Sequence, residues 1–264
     1  MCYNINIFLR ILTKNDGSIN ESGGELLIVL YILAGIVALF FAYVLFLFVC
    51  SLFVNPKKEY EENSRFYRFL LNSATAGALK ILRIKVHTTG LENVPADVLP
   101  LFVGNHRSNF DPIIQWLEFK EWKPAFISKA SNFKVPFFGR FIRKCCFMTI
   151  DRESPRKALV TINKATKLIQ KGEVSVGVYP EGKRSKSGVL LPFHNGVFRI
   201  AQKANVPVVV MAISGTEKIH KRTPFRKTDI YLDLEVISAD EVKQMKTDEI
   251  GDRVRAILEN RLKN

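Results

Sequence analysis

Residues 101–119 read Leu101-Phe102-Val103-Gly104-Asn105-His106-Arg107-Ser108-Asn109-Phe110-Asp111-Pro112-Ile113-Ile114-Gln115-Trp116-Leu117-Glu118-Phe119. A short apolar run stops at a glycine, a polar loop follows, and a proline opens a second apolar segment of helical length. A brief continuous apolar run bounded by turn residues suits a strand buried on both faces. The reading is a strand over 99–104 and a helix over 112–119, with a histidine and a carboxylate in the loop between them.

The same alternation runs outward from this unit. Strands are expected at 84–88, 99–104, 124–128, 146–150, 174–179, 206–213 and 230–237, and helices at 112–119, 155–171, 197–203 and 248–263. Short apolar strands alternating with helices predict an α/β domain with a central, mostly parallel sheet flanked by helices. It should occupy residues 83–264. Ligands of such sheets sit in the loops beyond the strand ends.

Upstream the pattern changes. From Leu26 to Val54 there are 29 consecutive residues without a charge. A bilayer core needs only ~20 apolar residues in a helix. Phe, Leu, Val and Ile fall on every face, which is too uniform for a buried core helix. A signal peptide would place a shorter apolar region at the very start, whereas here a polar extension, 1–25, comes first. A retained membrane anchor helix is expected over 26–54, with Gly35 able to admit a bend and the choice between spanning and dipping left open. Segment 55–82 should hold an amphipathic helix over 59–82, in which Phe66, Phe69, Leu70, Leu79 and Leu82 mix with Arg65, Arg68 and Lys80. It suits either a bilayer interface or a packed domain surface.

The net charge is +14, yet residues 1–54 carry −1, so residues 55–264 carry +15. A basic surface attracts polyanions, both nucleic acid and anionic lipid. No helix-turn-helix, RNA-binding aromatic sheet or zinc spacing is present, so nucleic acid is not the expected partner. The cations Lys57, Lys58, Arg65 and Arg68 beyond the anchor outnumber Arg10 and Lys14 before it, which places the large C-terminal domain in the cytoplasm. Cys2, Cys50, Cys145 and Cys146 show no metal-ligand or redox spacing, so no metal is expected and the thiols read as reduced and structural.

Three loops carry candidate chemistry. In the first, His106 leaves a strand end and Asp111 stands at the helix entry. The carboxylate can fold back on one imidazole nitrogen and leave the other free to take a proton. A loop histidine near an aspartate is also common as surface decoration, and Asp111 before Pro112 reads as a helix N-cap followed by proline at the first helical position. In the second, Tyr179-Pro180-Glu181-Gly182-Lys183-Arg184-Ser185-Lys186 makes a tight cationic loop. Its arginine fork suits phosphate oxygens, although a solvated basic turn would look the same. Glu181 is the residue expected to fix the loop. In the third, Lys129 and Arg152 flank the apolar turn Pro136-Phe137-Phe138-Gly139 and are further candidates for anion contacts, or plain surface charges.

Taken in order, Asn105-His106 with Asp111, the Lys129–Gly139 block ending at Ile150-Asp151-Arg152, Tyr179-Pro180-Glu181-Gly182 with Arg184-Ser185, and Val206-Pro207-Val208-Val209 resemble the four motif blocks of the 1-acyl-sn-glycerol-3-phosphate acyltransferases, the PlsC-like lysophosphatidic acid acyltransferases. The resemblance covers roughly residues 80–215. It departs at Lys183, where the family often has Thr, at Tyr179 in place of Phe, at His194 in place of Lys, and at Val210 in place of Pro.

The resemblance implies the glycerolipid acyltransferase fold and transfer of a fatty acyl group from acyl-CoA or acyl-carrier protein to lysophosphatidic acid, giving phosphatidic acid. It implies His106 as general base and Asp111 as its orienter. Glu181, Gly182, Lys183, Arg184, Lys129 and Arg152 are implied in substrate binding. Cofactors are not implied; the acyl thioester is a co-substrate. Partners would be the bilayer, lysophosphatidic acid and the thioester donor, at a cytoplasmic membrane. Glycerol-3-phosphate or another lysophospholipid is the alternative acceptor. A serine hydrolase would want Gly-x-Ser-x-Gly, which is absent. A non-catalytic lipid-binding protein would explain the anchor and the charge but not the His106–Asp111 pairing.

Overall fold

The computed structural model describes residues 19–151, 154–221 and 226–263. The chain separates into two compact units with the boundary between Phe53 and Val54.

The first unit holds α1, Ile19–Leu52. It is continuous through Gly35, where a bend had been open, and it begins inside the segment expected to be a polar extension. Gly24–Leu52 is long and apolar enough to cross a membrane. At 1.5 Å per residue these 29 residues reach about 44 Å, beyond the ~30 Å hydrocarbon core. Leu33, Phe40, Phe41 and Leu45 stand exposed on it. Residues 1–18, which carry the rest of the expected extension and Cys2, lie outside the described residues.

In the second unit, α2 covers Arg65–Ile81 and starts six residues after the expected 59, because Ser64 caps it by accepting the Tyr67 N–H. One face is buried through Tyr67, Leu70, Leu71 and Leu79, while Phe66, Phe69 and Ile81 remain exposed. The helix is therefore packed on the domain and still carries an outward apolar stripe.

The sheet has seven strands: β1 (Ile84–Thr89), β2 (Leu101–Gly104), β3 (Ala125–Ser128), β4 (Met148–Thr149), β5 (Val176–Val178), β6 (Val208–Ser214) and β7 (Thr228–Ile237). Their spatial order is β1-β7-β6-β2-β5-β3-β4. Strands β6, β2, β5, β3 and β4 run parallel. β7 reverses direction against β6, and β1 follows β7 in parallel.

Alternating side chains feed two cores. Leu101, Val103, Val208 and Val210 face one layer, formed by α5 (Pro155–Gln170), α6 (Arg199–Ala204), α7 (Ala239–Gln244) and α8 (Thr247–Lys263). Phe102, Val209, Met211 and Ile213 face the other, with Leu79 of α2 and Ile114 of α3 (Asp111–Glu118). Both faces are covered, as a parallel sheet requires.

Three sequence readings need correction. Pro136-Phe137-Phe138-Gly139 is not merely a turn: Phe137, at φ 56°, leads directly into α4, Phe138–Lys144. The helix expected at 197–203 splits into a 3₁₀ turn, Asn195–Phe198, and α6. The segment after residue 216 adds two helices rather than one, α7 being closed by a capping box between Ser238 and Glu241.

Candidate active site

Because five strands are parallel, the loops that leave β2, β3, β4, β5 and β6 all open at one sheet edge. All three candidate loops belong to this set. The first residue beyond β2 fixes the exit angle. Asn105 donates its Nδ2 to the Ile213 carbonyl (3.0 Å) and accepts the Ile213 N–H on Oδ1 (2.8 Å), so its carboxamide prolongs the β2–β6 ladder by one rung.

His106 follows. Its Nδ1 lies 2.8 Å from Asp111 Oδ2. The same oxygen accepts the backbone N–H groups of Arg107 and Ser108, both at 2.7 Å. The other oxygen, Oδ1, accepts the Thr216 hydroxyl at 2.6 Å. Both oxygens of the carboxylate are therefore engaged, three donors converging on Oδ2 and one meeting Oδ1. The arrangement assigns the imidazole hydrogen to Nδ1 and leaves the Nε2 lone pair facing away from Asp111, where it has no protein partner among the described residues. Asp111 is fully buried, and the His106 side chain retains 19% exposure, enough to meet a substrate.

Asp111 was expected as the N-cap of the following helix. It is instead the first residue of α3, Phe110 is the cap, and no side chain caps that end. The carboxylate turns back to the loop 106–108 and so is fully used in holding His106 and its neighbours.

The loop after β5 grips His106 from its backbone side. Glu181, 3% exposed, accepts the His106 N–H on Oε1 and the Leu191 N–H on Oε2, both at 2.9 Å. The Ser185 N–H donates to the His106 carbonyl at 2.8 Å. Gly182, at φ 70°, lets its N–H return to the Tyr179 carbonyl at 3.0 Å, a left-handed backbone position that favours glycine. The Tyr179 ring stacks on the His106 imidazole, with centroids 4.3 Å apart and planes 18° apart. Desolvation, helped by the Asp111 charge, pushes the Tyr179 phenol well above its ordinary range, so it stays a neutral donor, and it donates to Gln115 Oε1 on α3.

The expected phosphate-binding cations stand differently. Lys183 and Arg184 are exposed on the Glu181 loop, and their side chains have no protein partner among the described residues. Arg107, not singled out from sequence, reaches across and donates to the Gly188 carbonyl at 3.0 Å, tying the far end of that loop to the His106 loop. Lys129 follows β3, which is two strands from β2, about 10 Å along the same edge. Its side chain is exposed with no protein partner among the described residues. Arg152 lies outside the described residues; its neighbour Asp151 pairs with Lys157 at 3.1 Å. The structure therefore brings His106, Asp111, Glu181 and Gly182 into one hydrogen-bonded cluster, with Lys183 and Arg184 on its rim. It adds Thr216, Tyr179 and Gln115. Among the described residues no group of three or more His, Cys, Asp or Glu is placed to hold a metal ion.

A half-buried histidine paired with a buried aspartate, one imidazole nitrogen free among the described residues, beside a cationic loop at the mouth of a parallel sheet, is equipped to deprotonate a hydroxyl next to an anionic group. The sequence from residue 85 to 214, which spans this cluster up to β6, matches the family model described as Acyltransferase. That match covers 130 residues, just under half of the chain.

Relatives agree with this acyltransferase domain. A chloroplastic 1-acyl-sn-glycerol-3-phosphate acyltransferase of Brassica napus is 38% identical over 136 residues, 51% of this chain and 39% of that protein. The protein of the same name from Salmonella typhimurium is 27% identical over 163 residues, 61% of this chain and 66% of its own length. The chain thus spans well under half of the Brassica relative. The crystal structure of the 1-acyl-sn-glycerophosphate (LPA) acyltransferase PlsC from Thermotoga maritima superposes with a TM-score of 0.62 at 24% identity, over 84% of this chain and 87% of that one. That likeness establishes the fold of the acyltransferase domain: a mostly parallel sheet flanked by helices.

Proposed function

We propose that this protein transfers a fatty acyl group from an acyl thioester to the sn-2 hydroxyl of lysophosphatidic acid, giving phosphatidic acid. The observation that carries the reading is the His106–Asp111 pair, which leaves Nε2 unpartnered at the ligand-binding edge of an acyltransferase domain. The names of the Brassica and Salmonella relatives supply the acceptor.

In this reading the acceptor hydroxyl donates to His106 Nε2. The proton moves to Nε2 as the oxygen attacks the thioester carbonyl carbon. Asp111 stabilises the imidazolium through Nδ1–H, and its three other contacts keep the carboxylate itself from turning. The tetrahedral oxyanion then collapses, the carbon–sulfur bond breaks, and the imidazolium returns its proton to the departing thiolate. Atoms and charge balance without an acyl-enzyme.

Glu181 and Gly182 shape the loop, and Arg184 with Lys183 meets the acceptor phosphate. A guanidinium free of protein partners has its fork available for phosphate oxygens. Lys129, at the same edge, is a candidate donor to the oxyanion, and Arg152 a further anion contact. The thioester is acyl-CoA or acyl-carrier protein. α1 and the outward stripe of α2 support work at a membrane. The cations after residue 55 favour its cytoplasmic side.

The test is turnover of the detergent-solubilised or liposome-bound protein with labelled acyl-CoA, then acyl-carrier protein, against lysophosphatidic acid and glycerol-3-phosphate in competition. Phosphatidic acid should form, and His106→Ala should lose about 10²–10⁴-fold. A folded His106→Ala protein with full turnover refutes the mechanism. Preferred acylation of glycerol-3-phosphate replaces the acceptor.

A further inference from the structure

Three aromatic planes line up behind the free edge of the base. His106 stacks on Tyr179 at 4.3 Å and 18°, and Tyr179 lies parallel to Phe126 at 5.9 Å and 10°. Phe126 sits on β3, only 2% exposed, and it can lie against β5 because residue 177 is glycine: a Cβ there would meet the Phe126 ring at 2.4 Å. At its far end Tyr179 is fastened by its hydroxyl to Gln115 of α3, and α3 is the helix that begins with Asp111. The ring and the carboxylate that touch the imidazole are therefore carried by parts that brace each other.

The hydrogen bond that His106 Nδ1–H donates to Asp111 restrains one distance, 2.8 Å, against two side-chain torsions, so the plane of the imidazole can still tilt. A flat surface against one face removes that freedom. We infer that Tyr179 is a positioning residue, whose ring, backed by Phe126, sets the plane of the His106 imidazole and so the direction of its Nε2 lone pair. The inference rests on the acyl-transfer reading for its kinetic consequence, while its geometric content stands apart from it. Proton abstraction depends on that direction, and a misplacement of about 1 Å can cost on the order of 10²-fold in rate. Acceptor binding depends instead on the cationic rim, which the stack does not touch.

Tyr179→Leu should lower kcat by about 10- to 100-fold and change KM for lysophosphatidic acid less than about threefold. Tyr179→Phe keeps the ring and loses only the Gln115 bond, so it should stay within about threefold of the unmutated kcat. Phe126→Leu, which leaves Tyr179 in place but unbacked, should fall between the two.

A readout independent of turnover is the NMR spectrum of histidine-labelled protein in detergent, with His106 assigned through His106→Gln. An imidazole stacked on a phenol ring has its Hε1 resonance displaced upfield. The displacement should persist in Tyr179→Phe and vanish in Tyr179→Leu. Unchanged kcat in folded Tyr179→Leu overturns the inference, as does an unmoved His106 resonance in that variant, or a Tyr179→Phe protein as slow as Tyr179→Leu. If the unmutated protein transfers no acyl group at all, the functional reading fails, and the resonance still decides whether the stack exists.

Discussion

Glu181 holds the backbone of His106: its Oε1 accepts the His106 N–H at 2.9 Å while Oε2 accepts the Leu191 N–H at 2.9 Å. Each carboxylate oxygen is engaged by a backbone N–H. The carboxylate is a two-sided clasp between the loop after β2 and the loop after β5, and its geometry requires an acceptor at both ends.

Glu181→Gln keeps the size but turns one acceptor into an NH₂ donor facing an N–H. One buried donor is then unsatisfied, at a cost of about 1–3 kcal/mol. Urea denaturation should show that loss, and turnover should fall even where the protein is fully folded, because His106 shifts with its backbone. A Glu181→Gln protein with unmutated stability and unmutated turnover would show that the clasp does not hold His106.

Asp111→Asn offers one acceptor and one donor where three donors meet Oδ2 and a hydroxyl meets Oδ1. With its NH₂ toward Thr216, whose hydroxyl can accept, the amide oxygen still meets the three N–H donors, but it carries no charge to stabilise the imidazolium. Acyl transfer should fall at least as far as the ~10²-fold expected of a lost general-base step. Steady-state rates with circular dichroism separate a displaced ring from an unfolded chain. Retention of most turnover would mean that Asp111 does not orient the base.

Thr216→Val is nearly isosteric and removes the hydroxyl that Asp111 Oδ1 accepts at 2.6 Å. A buried carboxylate oxygen loses the one donor it has among the described residues, costing about 1–3 kcal/mol. Thr216→Ser should restore both stability and rate. Equal behaviour of the Val and Ser variants in thermal melts and turnover would show that the hydroxyl contributes nothing.

Cys145 and Cys146 are free and buried, and burial pushes both thiols up to about 12. In the unfolded chain they ionise near the ordinary value of about 8.5. Above that pH the unfolded state releases protons that the folded state keeps, so stability is fully present below it and declines as pH rises toward 12. Denaturation midpoints should fall between about pH 9 and 12, and by less in Cys145→Ala. Iodoacetamide at pH 8 should leave both thiols unlabelled until denaturant is added. Rapid labelling of the native protein at these positions contradicts the burial.

The strands were readable because Val, Ile and Phe runs flanked by Gly, Pro and polar turns have few other uses, as at Val206-Pro207-Val208-Val209. The reversal of β7 was not readable, since strand direction is set by which neighbour a strand meets and not by its own residues. α4 was hidden because Pro136 and Gly139 announce a turn; Gly139 is there for close packing, a Cβ at that position lying 2.4 Å from the Phe133 carbonyl oxygen. His106, Asp111 and Glu181 were visible as motif residues, but the work of Glu181 was visible only once Leu191 and His106 were seen on either side of it. Thr216 sits just past the last recognisable block, and only the β2–β6 pairing brings it to Asp111.

The Asp111–Thr216 hydrogen bond joins residues 105 positions apart. Contacts of that range form late, after the intervening strands have found their places. A ribosome therefore releases α1 long before it makes the hydroxyl on which Asp111 depends. A chain interrupted between Asp111 and Thr216 would carry His106 and Asp111 without a finished support for either. Completion of the support around His106 thus waits for Thr216, after the segment suited to a bilayer has already emerged.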